Sequence, residues 1–125
     1  MLNKGIIIGR LVRDVELRRT QTDKSVCSIT VAVDRDFKSE GQPTADFIDV
    51  ICFGKTAEFV SKWFSKGSMI VIDGRIQTRN WEDKNGNKRI SVEVVAERVN
   101  FGGSKKETTE EEDFTEIEDD EVVPF

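Results

Sequence analysis

Histidine is missing from this 125-residue chain, cysteine occurs only twice, and there is no GxxxxGK[ST] phosphate loop. The commonest general base and the usual metal-ligand sets are therefore absent, and carboxylate pairs such as Asp34 and Asp36 in a loop are too common to replace them. The expectation is a protein that is not an enzyme and holds neither cofactor nor metal. Cys27 and Cys52 both share a strand parity with apolar residues, which reads as two buried free thiols in a reducing compartment rather than a disulfide. No apolar run approaches the ~20 residues a membrane helix needs. The three isoleucines of MLNKGIIIGR are too few for a signal peptide's apolar region, and no small-residue cleavage site follows them. A soluble, cytoplasmic protein with no membrane partner is expected.

Basic residues are lacking from one part of the chain only. Residues 107–125 hold ten acids and no base, whereas residues 1–106 hold all 19 Lys and Arg against 14 acids. The net charge of -5 thus conceals a mildly basic domain, five charges positive, joined to an acidic tail. From Gly103 onward the apolar content is too low to offset the entropy of ordering, so the tail is expected to be disordered. Three parts follow: a folded domain over residues 1–102, an acidic linker over 103–118, and a tip over 119–125.

Within the domain, two-residue alternation and turn chemistry predict strands at about 2–11, 26–34, 47–53, 68–81 and 89–101. Gly5 and Gly9 mark places in the first strand where the sheet bends or another backbone comes close. The isoleucines at 6, 7 and 8 are apolar on both parities, so that strand is central or covered by a second subunit. Residues 13–25 read as a strand end running into a loop, and 34–46 as a long hairpin loop. A single helix is expected over Thr56–Lys66, stopped by Gly67, with Ala57, Val60 and Phe64 at core spacing and Phe59 and Trp63 beside them. An Asn-Gly turn joins the last two strands, the second of which points Ile90, Val92 and Val94 inward. Short strands in this order, with one helix between the third and fourth, suit an all-β, five-stranded oligonucleotide-binding (OB-fold) barrel.

The fourth strand carries the functional signal. Ile70, Ile72 and Ile76 fall on its inner parity, and Asp73, Arg75, Gln77, Arg79 and Trp81 on the other. Guanidinium groups in line with an indole suit a polyanion with flat rings to stack, which is nucleic acid. Phe47 and Phe53 share a parity on the third strand, and Phe37 lies in a polar loop beside Arg35. Strand phenylalanines ordinarily belong to cores, and Phe47 and Phe53 alone fit that reading. Trp81 and Phe37, in polar company, do not. Trp63 on the helix is read instead as a plug of the barrel end or a subunit contact. Asp49 and Asp73 share the proposed face, where ion pairs with nearby Arg or Lys would offset their repulsion of phosphate.

Three segments, MLNKGIIIGRLVRDVELR, DFIDVICFGKTAEFV and KGSMIVIDGRIQTRNWEDKNG, together resemble the bacterial and phage single-stranded DNA-binding proteins. The likeness runs from Met1 to Phe101 and returns at the last residues. It implies an OB-fold domain that assembles as a homotetramer and binds single-stranded DNA, with Phe37, Phe47, Phe53 and Trp81 as base-stacking positions. Basic positions of the family that are basic here include Lys4, Arg18, Lys55, Lys66 and Arg79, which join Arg35 and Arg75 as expected phosphate contacts. Phenylalanine at 37 and 47, where many members carry tryptophan, implies less stacking area per nucleotide. The ending Asp119-Asp120-Glu121-Val122-Val123-Pro124-Phe125 is similar to the family's acidic tip ending in Ile-Pro-Phe, through which replication, recombination and repair proteins are recruited. Asp119, Asp120, Glu121, Pro124 and Phe125 are the residues expected to dock. The resemblance implies a nucleoid-associated protein of bacterial, plasmid or phage origin. An RNA-binding or replication-restart OB-fold protein is the alternative.

Overall fold

The computed structural model describes residues 1–37 and 40–103. The tail expected to be disordered, with its linker and tip, lies outside the described residues apart from Gly103. In chain order the elements are β1 (Gly5–Leu11), β2 (Arg18–Arg19), β3 (Ser25–Asp34), β4 (Ala45–Phe53), α1 (Gly54–Trp63), β5 (Met69–Glu82) and β6 (Lys88–Phe101). The five expected strands are present with the helix between the third and fourth of them. The two-residue β2 is an addition, formed where a loop was expected and paired to the start of β3 through Arg18↔Val26 and Arg19↔Ser25. Among the described residues no helix is long and apolar enough to cross a membrane.

The sheet runs β1-β5-β6-β4-β3 and then closes on itself, because β1 also pairs with β3 at Arg10↔Ala32 and Leu11↔Val31. Closure removes the exposed edges an open sheet would present. It also forces two backbones together at Gly9, where a Cβ would lie 3.0 Å from the carbonyl carbon of Ala32 and closer still to its oxygen. Glycine is required there by lack of space, the close backbone approach expected of this position. The pairings are antiparallel except β4 with β6, which runs parallel through Asp49↔Glu93, Val50↔Val94 and Ile51↔Val95. A parallel step needs a long crossover, and α1 with β5 supplies it.

Inside the ring, one parity of each strand is buried: Ile29 and Val31 of β3, Val50 and Cys52 of β4, Ile70 and Ile72 of β5, Val99 of β6. Each such aliphatic side chain contributes roughly 1.5–3 kcal/mol on burial. Cys27 and Cys52 are register partners across β3 and β4, buried and free, as expected. The mutual hydrogen bond and the burial push the Cys52 thiol far above its usual range, so it stays protonated. One end of the ring is sealed by α1, whose Ala57 and Val60 face inward, and by Phe59, Phe64 and Phe101. Phe64 stacks on Phe101 at 4.8 Å, and Phe59 meets both edge-on. The Ser25 hydroxyl donates to Glu58 Oε2 at 2.8 Å and fastens α1 to β3. Trp63 is half-buried against this core, with the Lys62 ammonium 5.2 Å from its ring centre.

Two details differ from the sequence expectation. The helix spans Gly54–Trp63 rather than 56–66, because Phe64 turns extended (φ -121, ψ 148) to put its ring into the core. Gly67 then makes the turn at φ +89, its N–H donated to the Leu11 carbonyl. The inward reading of Ile76, Ile90 and Val92 is also corrected. Ile76 pairs with Val94, Thr78 with Val92 and Asn80 with Ile90, so these side chains share the inner parity, yet only Val94 is buried. Past Gly74 the β5–β6 hairpin runs beyond its pairing with β1, and among the described residues Ile76, Ile90 and Val92 stand exposed there. The change occurs at a bulge, where Asp73 pairs with Arg98 but Gly74 pairs with Ala96, leaving Glu97 without a partner.

Candidate nucleic-acid interface

Register partners in a sheet present their side chains to the same face, so the pairings of β3, β4, β6 and β5 assemble one outward surface row by row. The central row is Thr30, Asp49, Glu93 and Gln77. Beside it run Ser28, Ile51, Val95 and Arg75. On the other side Ala32 pairs with Phe47, and Ser91 with Arg79. A further row at the far end brings Arg18 of β2, Val26 and Phe53 into line. Trp81 follows Arg79 on the same parity, and its indole N–H donates to the Ser91 hydroxyl at 2.7 Å, which fixes the plane of the ring.

The aromatic residues singled out in the sequence are open to solvent: Phe37 is 90% exposed, Phe47 68%, Phe53 51% and Trp81 42%. The core reading of Phe47 and Phe53 is thereby excluded within this chain. Phe37 stands on the loop between β3 and β4, whose base is closed by the Arg35 N–H bonded to the Thr44 carbonyl. The surface rows hold Phe47, Phe53, Trp81, Arg18, Arg75 and Arg79 together, and Lys55 follows Phe53 at the start of α1.

Other expected contacts stand differently. Arg35 is clamped to Asp46, with Nη2 to Oδ1 at 2.7 Å and Nε to both carboxylate oxygens. This hydrogen bonding holds the Asp46 carboxyl below its usual range and raises the guanidinium. Lys4, ahead of β1, reaches Asp73 at 2.9 Å and Glu97 at 3.3 Å, and the hydrogen bonds to these carboxylates raise its pKa. Asp73 thus has the ion pair expected of it, and Lys4 is engaged away from the four-strand rows. Asp49 instead accepts from the Thr30 hydroxyl at 3.1 Å, and that hydroxyl accepts from Arg13. Lys66 lies exposed in the turn after α1, its backbone N–H donated to Asp14. The tip residues Asp119, Asp120, Glu121, Pro124 and Phe125 lie outside the described residues.

The hairpin that carries Trp81 is stiffened at its turn. Asp83 accepts from the N–H groups of Asn85 and Asn87 at 2.9 Å each and from Arg89 Nε at 3.1 Å. The Asn87 N–H above all, and then the guanidinium, hold the Asp83 carboxyl below its ordinary range. Sequence reading placed Gln77 on the outer parity of β5 but missed Ser91 and Glu93 as parts of this surface. A signal was present, since Ser91 and Glu93 interrupt an apolar strand on the parity opposite Val92 and Val94, but only the register joins them to Arg79 and Gln77.

Residues 2–102 match the model of the single-strand binding protein family. The chain belongs to that family. Membership implies the OB fold, in agreement with the closed sheet and its single helix between the third and fourth main strands. The chain is 47% identical over 114 residues to the single-stranded DNA-binding protein of Staphylococcus aureus strain MRSA252, covering 90% of this chain and 73% of the relative. Against single-stranded DNA-binding protein 1 of S. aureus strain MSSA476 the identity is 51% over 102 residues, 81% of this chain and 65% of the relative. Single-stranded DNA-binding protein 2 of Clostridium acetobutylicum is 48% identical over 101 residues, covering 80% and 76%. The chain therefore spans about two thirds to three quarters of the length of these bacterial relatives.

Proposed function

We propose that this chain binds single-stranded DNA without regard to sequence, by stacking bases on Phe37, Phe47, Phe53 and Trp81 and by phosphate contacts from the basic residues around them. The observation that carries the reading is the exposure of these aromatic rings, three of them on one outward sheet face interleaved with Arg18, Arg75 and Arg79. Every base has a π-face, so such platforms tolerate any sequence, and each stacked base contributes ~1–3 kcal/mol. Duplex DNA hides those faces, which makes unpaired strands the preferred ligand. The names of the bacterial relatives point the same way. The work is binding rather than catalysis, and needs no cofactor.

Two further features complete the proposal. Ile6 and Ile8, 64% and 53% exposed on the outward side of β1, form an apolar strip suited to a second copy of the chain, and the resemblance to the family extends that pairing to a homotetramer. The tip, with Asp119, Asp120 and Glu121 ahead of Pro124 and Phe125, joins acidic charge to an aromatic ring. That pairing fits apolar pockets rimmed by Arg or Lys on replication, recombination and repair proteins. Tethering such proteins to DNA-bound barrels raises their local concentration at unpaired DNA on the bacterial nucleoid.

Titration of labelled oligonucleotides of poly-dT and of mixed sequence, before and after Trp81→Ala, tests the reading. The substitution lowers affinity about 5- to 100-fold, to the same degree for all sequences. A loss confined to one sequence, or no binding by the parent, would refute it. Competition with matched RNA reports whether the ligand is DNA, since weaker displacement by RNA is expected.

A further inference from the structure

Glu93 sits in the middle of the proposed binding surface, yet its side chain is only 4% exposed. A buried carboxylate beneath a surface that takes polyanions needs a reason, because its charge both resists desolvation and opposes phosphate. Its partners supply one. Glu93 Oε2 accepts from the Gln77 amide nitrogen at 2.8 Å, and Oε1 lies 3.7 Å from Arg79 Nε. Ionised carboxylates only accept hydrogen bonds, so Glu93 forces the NH2 end of Gln77 toward itself and the amide oxygen away. That oxygen accepts from Arg75 Nη1 at 3.4 Å. One buried acid thus orients two guanidinium groups, Arg79 directly and Arg75 through Gln77.

We infer that Glu93 is a positioning residue for DNA binding, holding Arg79 and Arg75 where phosphates pass and leaving their outer N–H groups free. The inference rests on the single-stranded DNA reading of this surface. Without the acid, two long side chains sample many rotamers and lose that freedom again on binding, which weakens each contact. Asp49, the register partner of Glu93 on β4, adds a second negative charge to the central row. Phosphates avoid that row and follow the arginine side of the surface, while bases lie over the middle. The arrangement makes a counter-intuitive prediction. If Glu93 acted only through its charge, neutralising it would strengthen binding; as a positioning residue, its neutralisation weakens binding.

The test is a double-mutant cycle on labelled oligo-dT at a salt concentration where dissociation is measurable, using Glu93→Gln, Arg79→Ala and the pair. Glu93→Gln keeps the shape, and about 3- to 10-fold weaker binding is expected, with less-than-additive losses in the pair, because after Arg79→Ala only the Arg75 branch through Gln77 is left for Glu93→Gln to disturb. Equal or tighter binding by Glu93→Gln, or additive losses in the pair, would overturn the inference. Trp81→Ala is measured alongside. If it weakens binding while Glu93→Gln does not, the binding surface stands and the positioning role falls; if Trp81→Ala changes nothing, the surface itself is misassigned. Melting curves separate loss of fold from loss of positioning. Should Glu93→Gln melt too low to assay, Gln77→Ala takes its place in a cycle with Arg75→Ala, where additivity would equally overturn the relay.

Discussion

A single methyl group added at Gly74 tests how the β5–β6 hairpin leaves the ring. A Cβ at that position would stand 2.9 Å from the Val95 carbonyl carbon and 3.1 Å from the Ala96 Cα, with the Val95 oxygen nearer still. All three are backbone atoms of a paired strand, so no rotamer change relieves the clash. Either β6 shifts or the local ladder opens. Overpacking of this kind costs about 1–3 kcal/mol or more. Loss of the pairings Gly74↔Ala96 and Arg75↔Val95 adds about 1 kcal/mol for each hydrogen bond. Gly74→Ala is therefore expected to destabilise the domain by roughly 3–5 kcal/mol, a large part of a typical total of about 5–15. For a domain of this size each kcal/mol moves Tm by about 4–8 °C, so a fall of at least about 12 °C is predicted. Gly86→Ala is the control. Gly86 has a left-handed backbone (φ +83) but nothing within 4 Å of its missing Cβ, so its penalty is only the conformational ~1–2 kcal/mol. Thermal unfolding followed by circular dichroism at one fixed protomer concentration reads both. A Gly74→Ala Tm within about 2 °C of the parent, or a larger fall for Gly86→Ala, would refute the close-approach argument.

Other predictions concern the turn, the apolar strip and the tail. Asp83 has a depressed carboxyl pKa in the folded chain, so its contribution is present above the ordinary carboxylate value and is lost as pH falls through the lower folded value. Exchange of the Asn87 amide proton, relative to core amides, should therefore accelerate below about pH 4, and Asp83→Asn should remove that pH dependence. Ile8→Glu places a charge on the exposed strip of β1, and sedimentation should then show a smaller assembly with single-strand contacts retained per protomer; an unchanged mass would count against the strip as an interface. Deleting the last ten residues removes negative charge that competes with phosphate, so oligo-dT affinity should stay equal or rise while capture of replication and repair proteins is lost. Weaker DNA binding after the deletion would contradict this.

Strand parity, the single helix and the aromatic set were legible in the sequence because each is a local property. Alternation with a period of two puts Arg75, Arg79 and Trp81 on one side of their strand and Phe47 and Phe53 together on one side of theirs, whatever the strands later pair with. That the phenylalanine side faces solvent is seen only in the folded chain. Composition likewise separates the basic domain from the acidic tail. What parity cannot supply is depth. Ile76, Ile90 and Val92 share a face with Ile72, yet the bulge at Asp73–Gly74 and the length of the hairpin leave them exposed among the described residues. Glu93 is the converse case, an acid on an outward parity that its register neighbours bury. Pairing also decides which charges are free. Arg35 and Lys4 looked as available as Arg18 and Lys55, but Asp46, Asp73 and Glu97 come within ion-pair distance of them only in the folded chain. The sequence determined which residues share a side of a strand; closure of the sheet through β1 and β3 and the shift in the β5–β6 register decided what stands over them, because burial and ion pairing are relations between segments distant along the chain.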